Sequence, residues 1–418
     1  MATTIQNVRP SFASATAAQR KTLLAAALGW MLDSFDVMLY TIVLSDVMHD
    51  LHMSKSVAGL LGTLTLVASG IGGLIFGFLA DRIGRTRALM FSILTYSVCS
   101  FASGLSTSII MLAAFRFVLG LGMGGEWNTG ATLVAETWPV ELRAKALALV
   151  QSSWAFGYAI AALVAWVVLK YWDWRVVFFV GVLPALVTLW IRIDVPESKI
   201  WLAHRQKQAG PQASSARLSD IFSGGYAGST IALLMMNLFG MFAWWGLFTW
   251  LPGYLKLPVA QGGRGFDSGT TTTMLIVLNV VGMFPGYISF GWVAERLGRR
   301  RSVILYTLLG ALFVPLYALA RDPRALLLLG IPVAFFATGF FSGSGLIGCE
   351  IFPTAIRARA LGLTYNGARM LSALAPYTIG RVGEAYGLSW AFALCAIALF
   401  LVAVSASQLP ETRGRQLA

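Results

Sequence analysis

The sequence predicts an all-α membrane protein of twelve transmembrane helices, arranged as two pseudo-symmetric six-helix bundles, and three observations carry this prediction. Of the 418 residues, 57% are hydrophobic and 12% are charged, whereas soluble globular proteins have about 25% charged residues. Apolar runs of about 20 residues recur along the chain, and each can cross a hydrocarbon core about 30 Å thick. Several motifs also return at one fixed spacing, which indicates that the two bundles are copies of each other.

The apolar runs show no alternation with a period of two, so they indicate helices rather than barrel strands. They place the helices at about 22–47, 56–80, 88–107, 109–135, 144–169, 175–194, 227–255, 270–294, 302–320, 325–350, 360–383 and 387–408. The longest polar segment separates six helices from six. We therefore expect an N-terminal tail (1–21), a first bundle (22–194), a linker (195–226), a second bundle (227–409) and a C-terminal tail (410–418).

The distribution of Lys and Arg predicts the orientation. Of the 31 such residues, 21 lie in tails and loops on one side of the predicted helices and seven lie on the other side. Because cytoplasmic loops carry the excess of positive charge, both tails and the linker are expected in the cytoplasm. The net charge of +13 then reflects topology in the cell inner membrane. We expect a monomer surrounded by the lipid bilayer and no nucleic-acid partner.

Three motifs repeat at a spacing of 214 residues. This spacing indicates a duplication, and parallel six-helix repeats have their substrate site between the halves, near the bilayer midplane. Glycines allow helices to approach closely, and acids can pair with arginines, so the motifs predict a conformational latch, although basic loops that only set topology are the alternative. The first copy has Gly77, Asp81, Arg82, Gly84, Arg85, Glu136, Arg143 and Pro196-Glu197, and the second has Gly291, Glu295, Arg296, Gly298, Arg299, Glu350, Arg357 and Pro410-Glu411.

Two aspartates lie inside the first predicted helix. Asp33 and Asp36 are three residues apart and share one helix face. Two carboxylates on one face in a low dielectric cannot both ionise cheaply, which suits a group that binds and releases protons. We expect Asp36, helped by Asp33, to carry a coupled proton, with a structural hydrogen-bonding pair as the alternative. Glu126, in the fourth helix, is a further candidate proton site.

Two arginines lie inside helices of different halves. Arg116 and Arg369 each offer a planar fork that suits a carboxylate. We expect them to form one anion site in a central cavity. The alternatives are an internal ion pair between Arg116 and Asp36, and a guanidinium of Arg369 that reaches back to the cytoplasmic surface. Polar and aromatic side chains inside the helices would complete the substrate site, with packing as the alternative for each: Asn128, Gln151, Trp154, Tyr365 and Asn366.

Residues 77–87 (GFLADRIGRTR) resemble the loop 2–3 signature of the major facilitator superfamily. Residues 116–125 (RFVLGLGMGG) resemble the helix 4 motif of its proton-coupled members. Residues 124–128 (GGEWN), 362–376 (GLTYNGARMLSALAP) and the helix 1 acids resemble the organic-acid:proton symporters, first the sialate and monocarboxylate branch and then the aromatic-acid branch. The aromatic-acid branch usually has Gly after its first helix 1 aspartate, where this chain has Ser34. The resemblance implies the major facilitator fold.

These features together favour a secondary active transporter that imports a small organic anion, expected to be a carboxylate, by proton symport and alternating access. The alternatives are a proton-coupled drug or metabolite efflux antiporter, which paired arginines disfavour, and an uncoupled organic-anion exchanger, which the helix 1 acids disfavour. The sequence has no metal-ligand cluster, no phosphate-binding loop and no nucleophile with a partner. We therefore expect no enzyme, no metal and no cofactor, with the proton as coupling ion.

Overall fold

The computed structural model describes residues 12–198, 202, 221–223, 225–352 and 360–413, and it confirms the all-α fold. The first half contains α1 (Ala17–Asp50), α2 (Lys55–Ile83), α3 (Arg85–Gly104), α4 (Ile109–Thr137), α5 (Val140–Val168) and α6 in two pieces (Trp174–Val180 and Pro184–Asp194). Most of the predicted linker, 195–226, lies outside the described residues.

The second half has the same order of elements. It contains α7 (Ala227–Lys256), α8 (Ser268–Val277, a π-helical segment Leu278–Met283, and Phe284–Leu297), α9 (Arg299–Leu319), α10 (Pro323–Gly339 and Phe341–Ile351), α11 (a π-helical segment Leu363–Gly367, then Ala368–Ser372 and Ala375–Tyr386) and α12 (Leu388–Ser407).

Within the described residues, nine helices are long and apolar enough to cross a membrane by length and composition. The other three are α3, which carries several serines and threonines, and the interrupted helices α6 and α11. An interrupted helix is tolerated at membrane depth where other helices surround it. The twelve predicted helices therefore differ in length, continuity and apolar character.

The helix starts follow from capping side chains. Thr16 accepts from the backbone N–H of Gln19, and the Gln19 side chain accepts from the backbone N–H of Thr16, so a capping box begins α1 five residues before the predicted start at residue 22. The side chains of Ser54, Ser108 and Asp322 each accept from one backbone N–H at the start of α2, α4 and α10. Each cap satisfies a backbone donor that the helix itself leaves unpaired.

The two ends of the molecule differ in their polar contacts. The basic end is the one that carries the loops α2–α3 and α8–α9. Lys21 Nζ lies 2.7 Å from Asp194 Oδ1, and Gln19 Nε2 donates to the carbonyl of Thr137 at 3.2 Å, both within the first half. Arg413 donates to the carbonyl of Arg296 at 2.9 Å within the second half. These contacts at the basic end therefore hold each half together by itself.

The opposite end joins the halves. Lys256 of α7 lies 2.6 Å from the carboxylate of Asp46 of α1. Ser56 of α2 donates to Glu384 of α11 at 2.6 Å. Lys55 also donates to a second-half carbonyl, that of Gln261, at 2.6 Å. The end opposite the basic loops is accordingly closed by contacts between the halves.

Candidate substrate site

Helix α4 brings two ionisable groups to the interior because it lies very close to α2. A Cβ at Gly120 or Gly124 would collide with the α2 backbone at Thr65 and Ser69, so only glycine fits at these positions. Arg116 and Glu126 are ten residues apart on α4, or about 15 Å along the helix axis. The two side chains therefore lie at different depths, and each joins a different group of partners.

The first group of charges lies inside the first half, and we call it the first-half cluster: Asp36, Ser100, Arg116 and Tyr40. Asp36 Oδ1 accepts from Ser100 Oγ at 3.1 Å, and the carboxyl also attracts the Arg116 guanidinium. Arg116 lies 4.5 Å from the centroid of the Tyr40 ring. Asp36 and Arg116 are 0% and 1% exposed. The cluster thus holds a buried acid and a buried arginine that attract each other among α1, α3 and α4.

The second group lies between the halves, and we call it the interface cluster: Asp33, Glu126, Arg369, Ser69 and Tyr365. Arg369 of α11 donates to Ser69 Oγ of α2 at 3.0 Å, so a second-half arginine is bonded to a first-half helix. Its guanidinium attracts the carboxyl groups of Asp33 and Glu126 and lies 5.7 Å from the centroid of the Tyr365 ring. All three charged side chains are at most 3% exposed.

The interface cluster contains buried polar atoms that the described part of the chain leaves without hydrogen bonds. Both carboxyl oxygens of Asp33, both of Glu126 and Nε of Arg369 have no partner there. A buried polar group without a partner costs about 1–3 kcal/mol, and more if it is charged. Proteins keep such groups inside a membrane where they serve an ion or substrate path. The first-half cluster also has buried atoms without a partner within the described residues, namely Asp36 Oδ2 and Arg116 Nε and Nη1. Only the interface cluster combines such atoms with a bond between the halves, so it is the candidate binding site.

Aromatic rings from both halves surround this cluster. Ring centroids of Trp30 lie 4.6 Å from those of Trp127 and 4.7 Å from those of Trp154. The Trp154 ring also contacts Trp244 of the second half, with 5.4 Å between the ring centroids. The Trp127 ring lies 6.4 Å from the Tyr365 ring of α11. The indole N–H groups of Trp30, Trp154 and Trp244 have no acceptor within the described residues.

The structure brings some predicted site residues together and separates others. Asp33, Glu126 and Arg369 lie in one cluster, whereas Arg116 lies with Asp36 in the other, so the two arginines do not share one anion site. The reason is that α4 carries its basic and acidic residues at different depths. The internal pairing of Arg116 with Asp36, which the sequence had left open, stays a prediction, and the attraction between their charges is compatible with it.

The predicted lining residues have varied positions. Trp154 is buried and borders the site, and Asn366 is 8% exposed with an unpaired side-chain oxygen within the described residues. Gln151 is partly buried, and its side chain lies near the Tyr287 hydroxyl. The side chain of Asn128 lies outside the described residues. Sequence reasoning missed Ser69 and Ser100, because serines are common in transmembrane helices and their partners lie on other helices.

The described residues of the predicted latch lie at the basic end, and the contacts of Arg85 in the first copy are matched by those of Arg299 in the second. In the first copy, Arg85 Nη2 lies 3.3 Å from Glu136, and the backbone N–H of Arg85 donates to Glu197 at 3.0 Å. Arg82 lies over the ring of Phe78, with 4.3 Å to its centroid. Glu197 was recognised in the sequence only as the mark that closes a half, and its position at the start of α3 gives it a structural role.

The second copy repeats these contacts. Arg299 lies 2.8 Å from Glu295 and 3.3 Å from Glu350, and its backbone N–H donates to Glu411 at 2.8 Å. Burial acts to raise the pKa of the Glu411 carboxyl, but the N–H groups of Arg299, Arg413 and Thr412 hold it below its ordinary value. Equal contacts at equivalent positions agree with the duplication that the repeated motifs predict.

Two of the four glycines of the predicted latch are required by the backbone conformation, and the other two are not in close contact. Gly84 and Gly298 adopt φ of 105° and 96°, a conformation that favours glycine, where α2 meets α3 and α8 meets α9. A Cβ at Gly77 or Gly291 would meet nothing within 4 Å, so the expectation that these two allow close packing is wrong for this conformation. The side chains of Asp81 and Arg143, and all of Arg357, lie outside the described residues.

Comparison with known proteins identifies the family. The model of the Major Facilitator Superfamily matches residues 26–263 and 257–416. A probable 4-methylmuconolactone transporter of Cupriavidus pinatubonensis is 34% identical over 95% of this chain and 91% of its own length. A sialic acid transporter of Escherichia coli is 32% identical over 94% of this chain and 92% of its own length.

A solved structure shows the same fold. The crystal structure of a D-xylose-proton symporter has a TM-score of 0.77 at 20% identity and covers 94% of this chain and 99% of that one. Family, relatives and fold agree with the two-half architecture and with the motifs at 77–87 and 116–125. The chain therefore belongs to the major facilitator superfamily, a family of transporters rather than enzymes, and it is a multi-pass membrane transporter.

Proposed function

We propose that this protein is a proton-coupled symporter that imports a small organic carboxylate by alternating access between its two halves. Two relatives are named as transporters of sialic acid and of 4-methylmuconolactone, which supports a small organic acid as substrate. Arg369 is the proposed clamp for the carboxylate, because its planar fork matches two carboxylate oxygens and it lies where the halves meet.

The charge balance of the interface cluster is the observation that carries the proton coupling. Two carboxyl groups, Asp33 and Glu126, surround a single guanidinium, that of Arg369. If both were ionised, the cluster would carry a net negative charge before any substrate arrived, and a substrate anion would be repelled. Charges in a low-dielectric interior interact strongly. Protonation of at least one carboxyl group removes this repulsion, so anion and proton enter together.

Asp36 and Arg116 have a separate role in this proposal. Asp36 lies one helical turn from Asp33 on α1, and the charges of Asp33 and Arg116 both act on it in opposite directions. A proton that Asp33 binds or releases therefore alters the balance between Asp36 and Arg116. We assign the coupled proton to Asp36 with Asp33, and the direct competition with the substrate to Asp33 and Glu126.

The proposed cycle uses the difference between the two ends. Contacts such as Asp46 with Lys256 join the halves at the end opposite the basic loops. With the basic end in the cytoplasm, as the excess of positive charge favours, this conformation faces the cytoplasm. Outward opening then requires the contacts at the opposite end to break and contacts between the halves to form at the basic end.

Reconstitution in liposomes tests the function. The purified protein would be given labelled lactate, pyruvate, sialate, benzoate or muconate, with the outside more acidic than the lumen. We expect at least one of these acids to accumulate above its external concentration, and an uncoupler to abolish the accumulation. Liposomes without protein give the passive background for each acid.

The possible outcomes separate the parts of the proposal. Uptake that stops at equal concentrations despite the proton gradient would contradict proton coupling and favour an exchanger or facilitator. Accumulation only when the gradient is reversed would indicate an antiporter. Uptake of none of these acids would contradict the substrate class.

A further inference from the structure

Two aromatic rings from opposite halves face each other next to the candidate carboxylate clamp. Trp127 belongs to α4 of the first half and Tyr365 to α11 of the second half. Their ring centroids lie 6.4 Å apart, and their planes differ by 30°. Both rings are partly exposed, whereas Trp30 and Trp154 behind them are buried. The facing pair is therefore the accessible part of the aromatic lining.

The Tyr365 ring lies beside the guanidinium of the candidate clamp. Trp127 directly follows Glu126, and Tyr365 lies four residues before Arg369, whose guanidinium is 5.7 Å from the Tyr365 ring centroid. Tyr365 lies in the π-helical segment Leu363–Gly367, a backbone form that occurs frequently at functional sites. A molecule whose carboxylate binds Arg369 would thus extend its body toward the facing rings.

The separation of the two ring centroids is slightly smaller than a flat group needs between them. Carbon atoms in van der Waals contact lie about 3.5 Å apart, so a flat ring held between two others needs about 7 Å between them. The observed 6.4 Å is slightly less than this, and the tilt of 30° opens one edge of the gap. Because the two walls belong to different halves, a small movement of one half against the other widens the gap. A puckered saturated ring is thicker and needs a larger opening.

We infer that Trp127 and Tyr365 form a slot for a flat, conjugated carboxylate, with the carboxylate on Arg369 and the conjugated group between the rings. The inference rests on the proposed function, since it names the class of acid that the same site takes. The slot selects by thickness, so saturated and polyhydroxylated acids of equal charge bind less well. Trp30 packs against Trp127 at a tilt of 45°, with 4.6 Å between the ring centroids, and supports the first wall.

A pair of acids that differ mainly in thickness tests the slot. Benzoate and cyclohexanecarboxylate have the same number of carbon atoms and the same charge, but only benzoate is flat. We expect the purified full-length protein to bind benzoate about tenfold more tightly, because each aromatic wall adds a stacking contribution for a flat ring. General hydrophobic binding would favour the more apolar cyclohexane ring instead. Equal affinities, or tighter binding of cyclohexanecarboxylate, would overturn the inference.

Variants of the walls extend the test. Trp127→Leu and Tyr365→Leu should each reduce the preference for benzoate toward equality, whereas Tyr365→Phe, which keeps the ring, should retain the preference. Trp292→Leu is the matched control, because Trp292 is 71% exposed on α8 and lies outside the site. If Trp127→Leu and Tyr365→Leu both kept the full preference, the slot would be wrong.

The transport assay distinguishes failure of the slot from failure of the proposed function. If benzoate binds selectively but a proton gradient drives no acid into liposomes, the slot stands and the symport proposal falls. If acids accumulate but benzoate and cyclohexanecarboxylate bind equally well, the symport proposal stands and the slot falls.

Discussion

The two buried charge clusters of this transporter differ in which helices supply them. The first-half cluster contains Asp36 and Arg116, and both belong to one half. The interface cluster takes Asp33 and Glu126 from one half and Arg369 from the other, and most of its polar atoms have no hydrogen bond within the described residues. Contacts inside a half persist when the halves move, whereas shared contacts must be rebuilt, which supports our proposal that the substrate binds at the shared cluster.

The same distinction applies to the exposed ion pairs. Asp50 and Arg175, 2.9 Å apart, belong to the first half, whereas Asp46 and Lys256, 2.6 Å apart, join the two halves. The two pairs lie at the same end of the molecule, so they provide a matched comparison between a contact that the transport cycle keeps and one that it breaks.

The largest expected effect comes from Asp36→Asn. The amide has nearly the shape of the carboxyl but cannot bind and release a proton, so gradient-driven accumulation should fall to the passive level. The rate of exchange of labelled for unlabelled substrate should stay within about threefold of the wild-type rate, because the interface cluster is intact. A threefold change corresponds to less than the 1.4 kcal/mol that a tenfold change requires. Ser100→Ala is the control, since it removes a hydrogen bond and keeps the titratable group. Full accumulation by Asp36→Asn would show that the first-half cluster does not carry the coupled proton.

The next effect is expected for Arg369→Lys. Lysine keeps the charge but offers a point donor in place of a fork, and hydrogen bonds to charged groups contribute about 1.5–3 kcal/mol. Affinity for the accumulated carboxylate should fall about 10- to 100-fold in equilibrium binding. Arg381→Lys, an exposed arginine of the same helix, should bind like the wild type. If both variants bound equally, Arg369 would not be the carboxylate clamp.

A smaller effect is expected for Lys256→Gln. A partly exposed ion pair stabilises the closed state of that end by about 0.2–1 kcal/mol. Its loss should therefore raise the fraction of molecules that are open at that end by up to about fivefold. Spin labels on Tyr171→Cys and Arg321→Cys, with the native cysteines replaced by Ala, report the distance between the halves there. Arg175→Gln breaks a pair inside one half and should leave the distance distribution unchanged. Equal shifts in both variants would remove the distinction between shared and internal contacts.

The smallest effect concerns Glu411→Gln, compared with Glu197→Gln in the other copy. Each removes a carboxylate that accepts backbone N–H groups at a helix start, so each should lower stability by at most about 1 kcal/mol. The pKa of Glu411 is below its ordinary value, so its contribution is present at neutral pH. It is lost as the pH falls below about 4 and the carboxyl becomes protonated. Thermal unfolding in detergent should show the difference from wild type closing in acid, and a difference independent of pH would contradict this role.

Much of the fold could be predicted from sequence because it depends on local or repeated properties. Apolar runs predict helices wherever lipid must be crossed, and the spacing of 214 residues indicates two equivalent halves. The residues at which helices begin or are interrupted were harder to predict from the sequence. The capping box at Thr16 extends α1, and α6 and α11 are interrupted where hydropathy continues.

The sequence by itself determined which side chains are ionisable inside the membrane, because the cost of charge in lipid marks Asp33, Asp36, Arg116, Glu126 and Arg369 wherever they point. Only the tertiary structure decided which of them meet. Asp33 and Arg369 are separated by more than 300 residues of chain, and their encounter depends on how α1, α4 and α11 pack and at what depth. Partner choice between helices is a property of packing geometry, which no local pattern in the chain contains.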